Sequence, residues 1–290
     1  MTNTRALKAK MTHSAAATAS HARTTQKKPA SKPIFGKAVG GLQPGPKASK
    51  KRAVDPTNPQ RVRTILTRLA EHYPNAVCAL HHTNAWELMV ATILSAQCTD
   101  VRVNLVTPAL FRRFPTPRKM AKASQEEVEE LVRTTGFFRN KAKNIIGAAQ
   151  RLIAEFHGEV PRTMEQLLTI PGVARKTANV VLGSWYKIAV GVVVDTHVMR
   201  ISQRLELTKA TTPEKIEQEL MRILPQESWI DFSHRIIHFG RTVCIARKPR
   251  CADCFLEDVC NSNDKTWNTH YSVLSVDADR CQVRNRENIR

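Results

Sequence analysis

The sequence contains no apolar run long enough to cross a membrane, and no amphipathic stretch that would anchor the chain on one. Alternating strand patterns are also scarce: only residues 188–194 form a plausible extended run, which could equally be a buried loop. No internal repeat is visible. These deficits exclude a membrane-spanning protein and favour an all-α fold, for which 290 residues provide one large or two small cores.

Acidic residues are absent from residues 1–54, which contain 12 Lys or Arg residues. The rest of the chain carries +8 of the total formal net charge of +20, so both parts are basic. A basic excess favours a polyanionic partner such as nucleic acid, although it also describes a merely soluble cationic surface.

Residues 1–55 are rich in Ala, Ser, Thr, Lys, Gly and Pro, so we predict a disordered basic tail. Four interpretations are open: a non-specific DNA tether, an organelle transit peptide, a nuclear address at residues 50–52, or a solvated tail without a specific role. The tail lacks the apolar core of a secretory signal. Residues 263–290 are polar again and predict a second tail.

Capping residues and helical periodicity predict a series of helices between the tails. Asn58-Pro59, Ser124 with Glu127, Thr163 with Gln166, and Thr212-Pro213 are typical helix starts. The predicted helices cover about 59–73, 86–97, 101–113, 125–134 and 139–157, two short helices within 164–183, and then 196–205, 213–224 and 228–243.

Seven cysteines make an odd total, which argues against a secreted disulfide framework. Four of them lie within 17 residues, at Cys244, Cys251, Cys254 and Cys260. Four thiolates at such spacing indicate a metal centre, either a four-cysteine zinc site or a [4Fe–4S] cluster. Zinc ribbons generally have two Cys-x2-Cys knuckles and this chain has one, so the spacing alone favours the cluster only slightly.

Residues 168–182 read Leu-Thr-Ile-Pro-Gly-Val-Ala-Arg-Lys-Thr-Ala-Asn-Val-Val-Leu, and residues 192–197 read Val-Val-Val-Asp-Thr-His. The Pro-Gly pair separates two short helices, and the free N–H groups at the start of the second suit a phosphate. These motifs and the cysteine spacing resemble the endonuclease III family of helix-hairpin-helix DNA glycosylases, over roughly residues 58–262. Ala174 departs from the usual glycine and would obstruct the turn only if its φ were positive.

The resemblance implies a two-lobed, all-helical protein. One lobe, 80–188, is expected to be a six-helix barrel domain with the helix-hairpin-helix at 164–183. The other, 56–79 plus 189–262, is expected to hold the [4Fe–4S] cluster. The implied function is a monomeric, bifunctional glycosylase and abasic-site lyase that removes oxidised pyrimidines from double-stranded DNA. Alternatives are a mismatch- or uracil-directed glycosylase on the same scaffold and a non-catalytic DNA-binding module.

The resemblance also implies residue roles. Lys176 is expected to attack the sugar and Asp195 to oppose the positive charge that develops there, although a surface Lys and a helix-capping Asp are the ordinary alternatives. Gln97 is expected to enter the space that the extruded nucleotide vacates in the duplex, and Phe137 or the adjacent Phe138 to act as an apolar wedge. Further expected DNA contacts are the hairpin residues Gly172, Ala174 and Arg175, and the basic residues Arg247, Lys248 and Arg250 of the cysteine loop.

Two further residues have ordinary explanations: Asp100 is expected to cap a helix, and His197 to be a satisfied, partly buried histidine. The resemblance implies a cytoplasmic or nucleoid location in a bacterium, and the nucleus or an organelle in a eukaryote.

Overall fold

The computed structural model describes residues 55–266, and every regular element among them is helical. This confirms the predicted all-α fold for that part of the chain, whereas the predicted tail up to residue 54 and residues 267–290 lie outside it. The α-helices of the described part are α1 (Pro59–His72), α2 (Ala85–Leu94), α3 (Asp100–Arg113), α4 (Pro117–Met120), α5 (Gln125–Val132), α6 (Phe138–Phe156), α7 (Met164–Leu168), α8 (Arg175–Val180), α9 (Thr196–Arg204), α10 (Pro213–Ile223) and α11 (Trp229–Thr242). None of the helices described is long and apolar enough to span a membrane.

Side-chain caps begin three of these helices where the sequence predicts them. Asn58 Oδ1 accepts a hydrogen bond from the backbone N–H two residues later, at 2.9 Å. The hydroxyls of Ser124 and Thr163 accept from the N–H three residues later, at 3.2 and 3.3 Å. Each cap satisfies an N–H group that has no acceptor within its helix, so local sequence determines where these helices begin.

The structure differs from the sequence prediction at α2 and α4, and it decides between the two alternatives for residues 188–194. Helix α2 ends at Leu94, three residues early, because the chain leaves the helical conformation and reaches φ 52° at Gln97. Helix α4 was not predicted, since a single turn shows no periodicity; Thr116 caps it and Pro117 begins it. Residues 188–194 form a loop without strand pairing in the described structure, and its Val192 is fully buried.

Helices α2 to α8 form a first lobe around one hydrophobic core. Helix α2 lies at its centre and is apolar on all sides, as its sequence indicates: nine of its ten residues are buried. The largest fully buried side chains of this core are Leu88, Met89, Leu94, Leu110, Met120, Ile145, Leu152 and Leu167.

A second lobe is discontinuous in sequence, because α1 packs with α9, α10 and α11 around a separate core. Arg61 of α1 is buried and donates from Nε to the Val259 carbonyl at 2.9 Å and from Nη2 to the Leu205 carbonyl at 2.7 Å. A buried guanidinium is tolerated only when its N–H groups have acceptors. Arg61 therefore attaches α1 to both α9 and the cysteine-containing loop.

The central position of α2 predicts a large penalty for a cavity there. We expect Leu88→Ala to lower the free energy of unfolding by about 2–5 kcal/mol, because the side chain is fully buried and its packing is lost. Urea denaturation followed by circular dichroism measures this change. The same substitution at Leu105, which is 67% exposed on α3, is the control and should change stability by less than about 0.5 kcal/mol.

Candidate active site and cysteine centre

A cleft of about 600 Å³ is lined by residues of both lobes. Lys176 of α8 lines it from the first lobe, and Asp195, at the start of α9, lines it from the second. Gln97, in the loop after α2, lines the same cleft. Three of the residues singled out from the sequence are therefore brought together, although up to 98 positions separate them in the chain.

The hairpin between α7 and α8 presents Lys176. Gly172 in its turn has φ +79°, and a Cβ at that position would lie 2.8 Å from Cβ of Asn144, so only glycine fits. Ala174 has φ −92° and ψ 171°, an extended conformation that any residue adopts, so its methyl group does not obstruct the turn. Ala174 supplies no side-chain cap to α8. The side chain of Lys176 is exposed in the first turn of that helix.

Arg175, beside Lys176, has a protein partner that the sequence did not indicate. Its Nε and Nη2 donate to the two carboxylate oxygens of Glu217 on α10, at 2.7 and 3.1 Å. The Glu217 side chain is only 5% exposed and also accepts from Asn179 Nδ2 at 2.8 Å. The paired carboxylate holds the pKa of Arg175 above its ordinary value. This ion pair joins the hairpin to the second lobe, and a DNA contact by Arg175 stays a prediction.

Asp195 caps α9, as its position in the sequence predicts. Its Oδ1 accepts hydrogen bonds from the backbone N–H groups of His197 and Val198, both at 2.8 Å. Both donors contact the same oxygen, so capping uses one of the two carboxylate oxygens and fixes the orientation of the group. Capping and a role in the cleft are therefore compatible for this half-buried side chain.

Gln97 and Phe137 share an unusual conformation and exposure. Their φ angles are 52° and 48°, in the left-handed region that residues with a Cβ rarely adopt. Gln97 is exposed, and Phe137 is 66% exposed, whereas the adjacent Phe138 packs against the first core. Strained, exposed residues of this kind are concentrated at functional sites. The geometry favours Phe137 over Phe138 as the projecting aromatic residue.

One face of α11 contributes residues to the cleft that the sequence analysis missed. These residues are His234, His238 and Arg241, which follow one another at intervals of four and three positions. Because residues at these intervals lie on one face of a helix, their spacing in the sequence indicates that they share a face. Burial lowers the pKa of His238, and it lowers that of His234 to about 4. His234 Nε2 lies 3.2 Å from Oγ of Ser184, so it also connects the two lobes.

Asp100 is not the helix cap that the sequence analysis expected. Thr99 caps α3, by accepting from the backbone N–H of Arg102 at 3.2 Å. Asp100 instead accepts from Arg241 Nη2 at 2.6 Å, across the cleft. His197 is half-buried and also lines the cleft, and burial lowers its pKa.

The four clustered cysteines surround one small, mostly apolar cavity in the second lobe: Cys244, Cys251, Cys254 and Cys260. Arg204 of α9 organises their loop, because its Nη1 donates to Sγ of Cys244 at 3.4 Å and to the Ile245 carbonyl at 2.8 Å. Arg204 also forms an ion pair with Asp264 at 2.6 Å. The first residues of the predicted C-terminal tail are thus attached to this lobe.

Four thiolates around one cavity are a donor set suited to a metal centre. Within residues 55–266, no three His, Cys, Asp or Glu residues are close enough together to hold one metal ion. Ligands of one tetrahedral zinc lie about 4 Å apart, given Zn–S bonds of about 2.3 Å. In a cubane cluster each of the four thiolates binds a different iron. Burial raises the pKa of Cys254 to about 11, so bound iron would have to displace its proton.

The predicted basic residues lie in the loop between the first two of these cysteines. Arg247, Lys248 and Arg250 are exposed, while Pro249 between them is buried. Lys248 has φ 54°, and Arg250 Nη2 lies 3.6 Å from the Asp253 carboxylate. The cysteine centre thus holds the base of a loop whose positive charges face solvent.

About 70% of the chain is similar to known proteins. Residues 90–226 match the HhH-GPD superfamily base excision DNA repair protein family. Endonuclease III of Synechocystis sp. is 58% identical over 203 residues, which are 70% of this chain and 93% of that protein. Endonuclease III of Escherichia coli K12 is 41% identical over 204 residues, or 69% and 95% of the two chains.

Solved structures are similar over a comparable share of the chain. A trapped endonuclease III–DNA covalent intermediate aligns with a TM-score of 0.67 and 42% identity, over 70% of this chain and 96% of that one. A non-covalent endonuclease III–DNA complex has the same TM-score and identity, over 70% and 95%. A thermostable thymine-DNA glycosylase aligns with a TM-score of 0.62 at 22% identity, a likeness of fold alone.

The partly buried, uncharged state of His234 predicts a loss of stability in acid. The unfolded chain binds a proton at this residue near pH 6.5, and the native protein only near pH 4. Native stability therefore falls as pH drops through that window, by about 2 kcal/mol between pH 7.5 and 4.5. In urea unfolding, the free energy of unfolding of His234→Gln should decrease between pH 7.5 and 4.5 by about 2 kcal/mol less than that of the wild-type protein. His81→Gln, at an exposed histidine, is the control; an equal decrease in all three proteins would contradict the assignment.

Proposed function

Because this chain belongs to the endonuclease III family, we propose that it removes oxidised pyrimidines from duplex DNA with Lys176 as its nucleophile. The protein is a DNA glycosylase with abasic-site lyase activity that acts in base excision repair. The observation that carries the residue assignment is that Lys176 and Asp195, from different lobes, line one cleft. The covalent state of a similar endonuclease III with DNA also supports an attack by a protein side chain.

The proposed reaction begins with the unprotonated Lys176 amine. Nζ forms a bond to C1′ of the damaged nucleotide while the glycosidic bond breaks, and the base leaves with the bonding electrons and takes up a proton. The sugar ring then opens as the C1′–O4′ bond breaks, which gives an imine between Nζ and C1′. The imine acidifies C2′, whose proton is lost as the C3′–O3′ bond breaks and the 3′ phosphate leaves. Water hydrolyses the imine and regenerates the lysine.

Asp195 supports the first of these steps in our proposal. Positive charge develops on the sugar as the glycosidic bond breaks, and a fixed carboxylate nearby stabilises it. The two N–H donors of α9 hold the Asp195 carboxylate in one orientation before substrate arrives. A carboxylate that is already oriented need not reorganise as the reaction proceeds. Most electrostatic stabilisation of a transition state comes from such preorganisation.

Chemistry at C1′ requires the damaged nucleotide to leave the base stack. We assign the filling of the vacated space to Gln97 and the wedge to Phe137. Support comes from their exposure: a 66% exposed phenylalanine leaves most of its apolar surface in water until a partner covers it. Gln97 can hydrogen-bond the base left unpaired, because its amide offers both donors and acceptors.

Two separate elements are assigned to the DNA backbone. The hairpin around Gly172, Ala174 and Arg175 approaches a phosphate with the uncapped start of α8, as the close turn at Gly172 allows. The exposed charges of Arg247, Lys248 and Arg250 add sequence-independent attraction to phosphates. Cys244, Cys251, Cys254 and Cys260 would hold a [4Fe–4S] cluster, whose role in this proposal is to stabilise the loop that carries these charges.

The nucleophile assignment predicts the result of Lys176→Gln. The variant retains side-chain length and loses the amine, so nicking of an abasic duplex should fall by a factor of about 1,000 or more, while duplex binding persists. Borohydride reduction should trap wild-type protein on duplexes that carry an abasic site or thymine glycol, with the adduct mapped to Lys176 by mass spectrometry. Lys209→Gln, at an exposed lysine of the second lobe, is the matched control. Unchanged nicking by Lys176→Gln would remove this residue from the mechanism.

The cofactor assignment predicts the metal content of the purified protein. We expect four irons and four acid-labile sulfides per chain in wild-type protein, by the composition of such a cluster. Cys251→Ser should lose most of both and weaken binding to undamaged duplex, since the loop with Arg247 and Lys248 is no longer held. Cys98→Ser, a cysteine outside the group, is the control for iron and sulfide content. One zinc per chain and no sulfide would overturn the assignment.

A further inference from the structure

Lys141 of α6 is a lysine with an unusual environment. Its side chain is buried, with 5% exposure for the residue, and its Nζ donates two hydrogen bonds to backbone carbonyls. The acceptors are the oxygen of Leu94 at 2.9 Å and the oxygen of Thr135 at 2.7 Å. Among residues 55–266, no carboxylate forms an ion pair with this ammonium.

The two carbonyls belong to the two segments that lead to the proposed DNA-inserting residues. Leu94 is the last residue of α2 and lies three positions before Gln97. Thr135 ends the 3-10 turn Arg133–Thr135 and lies two positions before Phe137. One ammonium group therefore connects both loops at their bases, although Gln97 and Phe137 are 40 positions apart in the chain.

The energetics indicate that this lysine has more than a space-filling role. Burying an ammonium group is costly unless its donors are satisfied, and a methionine of similar length would fill the space without that cost. Lysine contributes donors that methionine lacks, directed at carbonyls that α2 and the 3-10 turn leave unpaired at their ends. The negative, C-terminal end of the α2 dipole also attracts the ammonium group of Lys141. Burial lowers the pKa of Lys141, in agreement with a desolvation cost that these two contacts offset.

The backbone conformation of the Gln97 and Phe137 loops requires support, which the hydrogen bonds from Lys141 supply. Gln97 and Phe137 both have positive φ, a state that persists in non-glycine residues only when the surrounding structure holds it. Their exposed side chains receive little support from packing. The hydrogen bonds from Lys141 act on the backbone just before each residue, and so restrict where each loop begins.

We propose that Lys141 is a positioning residue that sets the spacing of the Gln97 and Phe137 loops, so that both side chains enter the duplex together. This inference rests on the proposed function, in which these residues open the base stack. Lys141 does not line the cleft and acts through the two loops. Its loss should therefore affect extrusion of the base and spare the lyase reaction on a strand with no stack to open.

The test compares Lys141→Met with wild-type protein. Single-turnover excision of thymine glycol from a duplex should slow by about tenfold to 100-fold, since a misplacement of about 1 Å can cost up to about 100-fold in rate. Fluorescence of 2-aminopurine placed beside the lesion, which rises when the stack opens, should show the same loss. Cleavage of a single-stranded abasic oligonucleotide should stay within about twofold of wild type.

Two further variants separate positioning from general stability. Lys143→Met removes an exposed lysine two residues away on α6, with the same change in net charge, and should behave as wild type. Lys141→Arg keeps donors for both carbonyls and should restore most of the excision rate. If Lys141→Met does not fold, Lys141→Gln, which can still donate to one carbonyl, is measured instead, and circular dichroism verifies the fold of each protein.

A double-mutant cycle tests the route of the effect. If Lys141 acts through the two loops, Gln97→Ala and Phe137→Ala should each slow excision in wild-type protein and add little in the Lys141→Met background. Full additivity, or unchanged excision and fluorescence in folded Lys141→Met, would overturn the proposal. Wild-type protein that neither excises thymine glycol nor nicks an abasic duplex would instead refute the proposed function, so the two failures are distinguishable.

Discussion

The ion pair between Arg175 and the buried carboxylate of Glu217 is the contact on which the arrangement of the cleft depends. A carboxylate with 5% exposure must be paired, because leaving it alone in a medium of low polarity is strongly unfavourable. Its partner is the residue next to Lys176, and Glu217 belongs to the other lobe. The requirement to neutralise one buried charge therefore aligns the hairpin with the lobe that carries Asp195.

Other parts of the cleft follow from the same need to satisfy polar groups between two separate cores. Asp100 reaches Arg241, and Ser184 contacts His234, so each contact joins one lobe to the other beside the residues proposed to act on the sugar. Asp195 both caps α9 and lines the cleft. Structural and chemical roles thus share residues, since a group oriented by folding is already oriented for reaction.

The sequence predicted much of the helical structure, because helix starts depend on residues only two or three positions apart. Asn58, Ser124 and Thr163 cap helices where their spacing indicates. Prediction was less accurate where tertiary contacts outweigh local pattern. Asp100 resembles a cap and is instead half of a long-range ion pair, and α4 is too short to show a period.

The sequence by itself determined the helical fold class, most helix starts, the family, and the residue types available for chemistry, because these depend on short motifs and local spacing. Only the tertiary structure decided that Lys176 and Asp195 line one cleft, that Ala174 leaves the hairpin turn open, and which carbonyls Lys141 holds. The physical reason is separation along the chain: Arg241 lies 141 positions from its partner Asp100. Pairing at that range depends on how two cores pack, which no local pattern records.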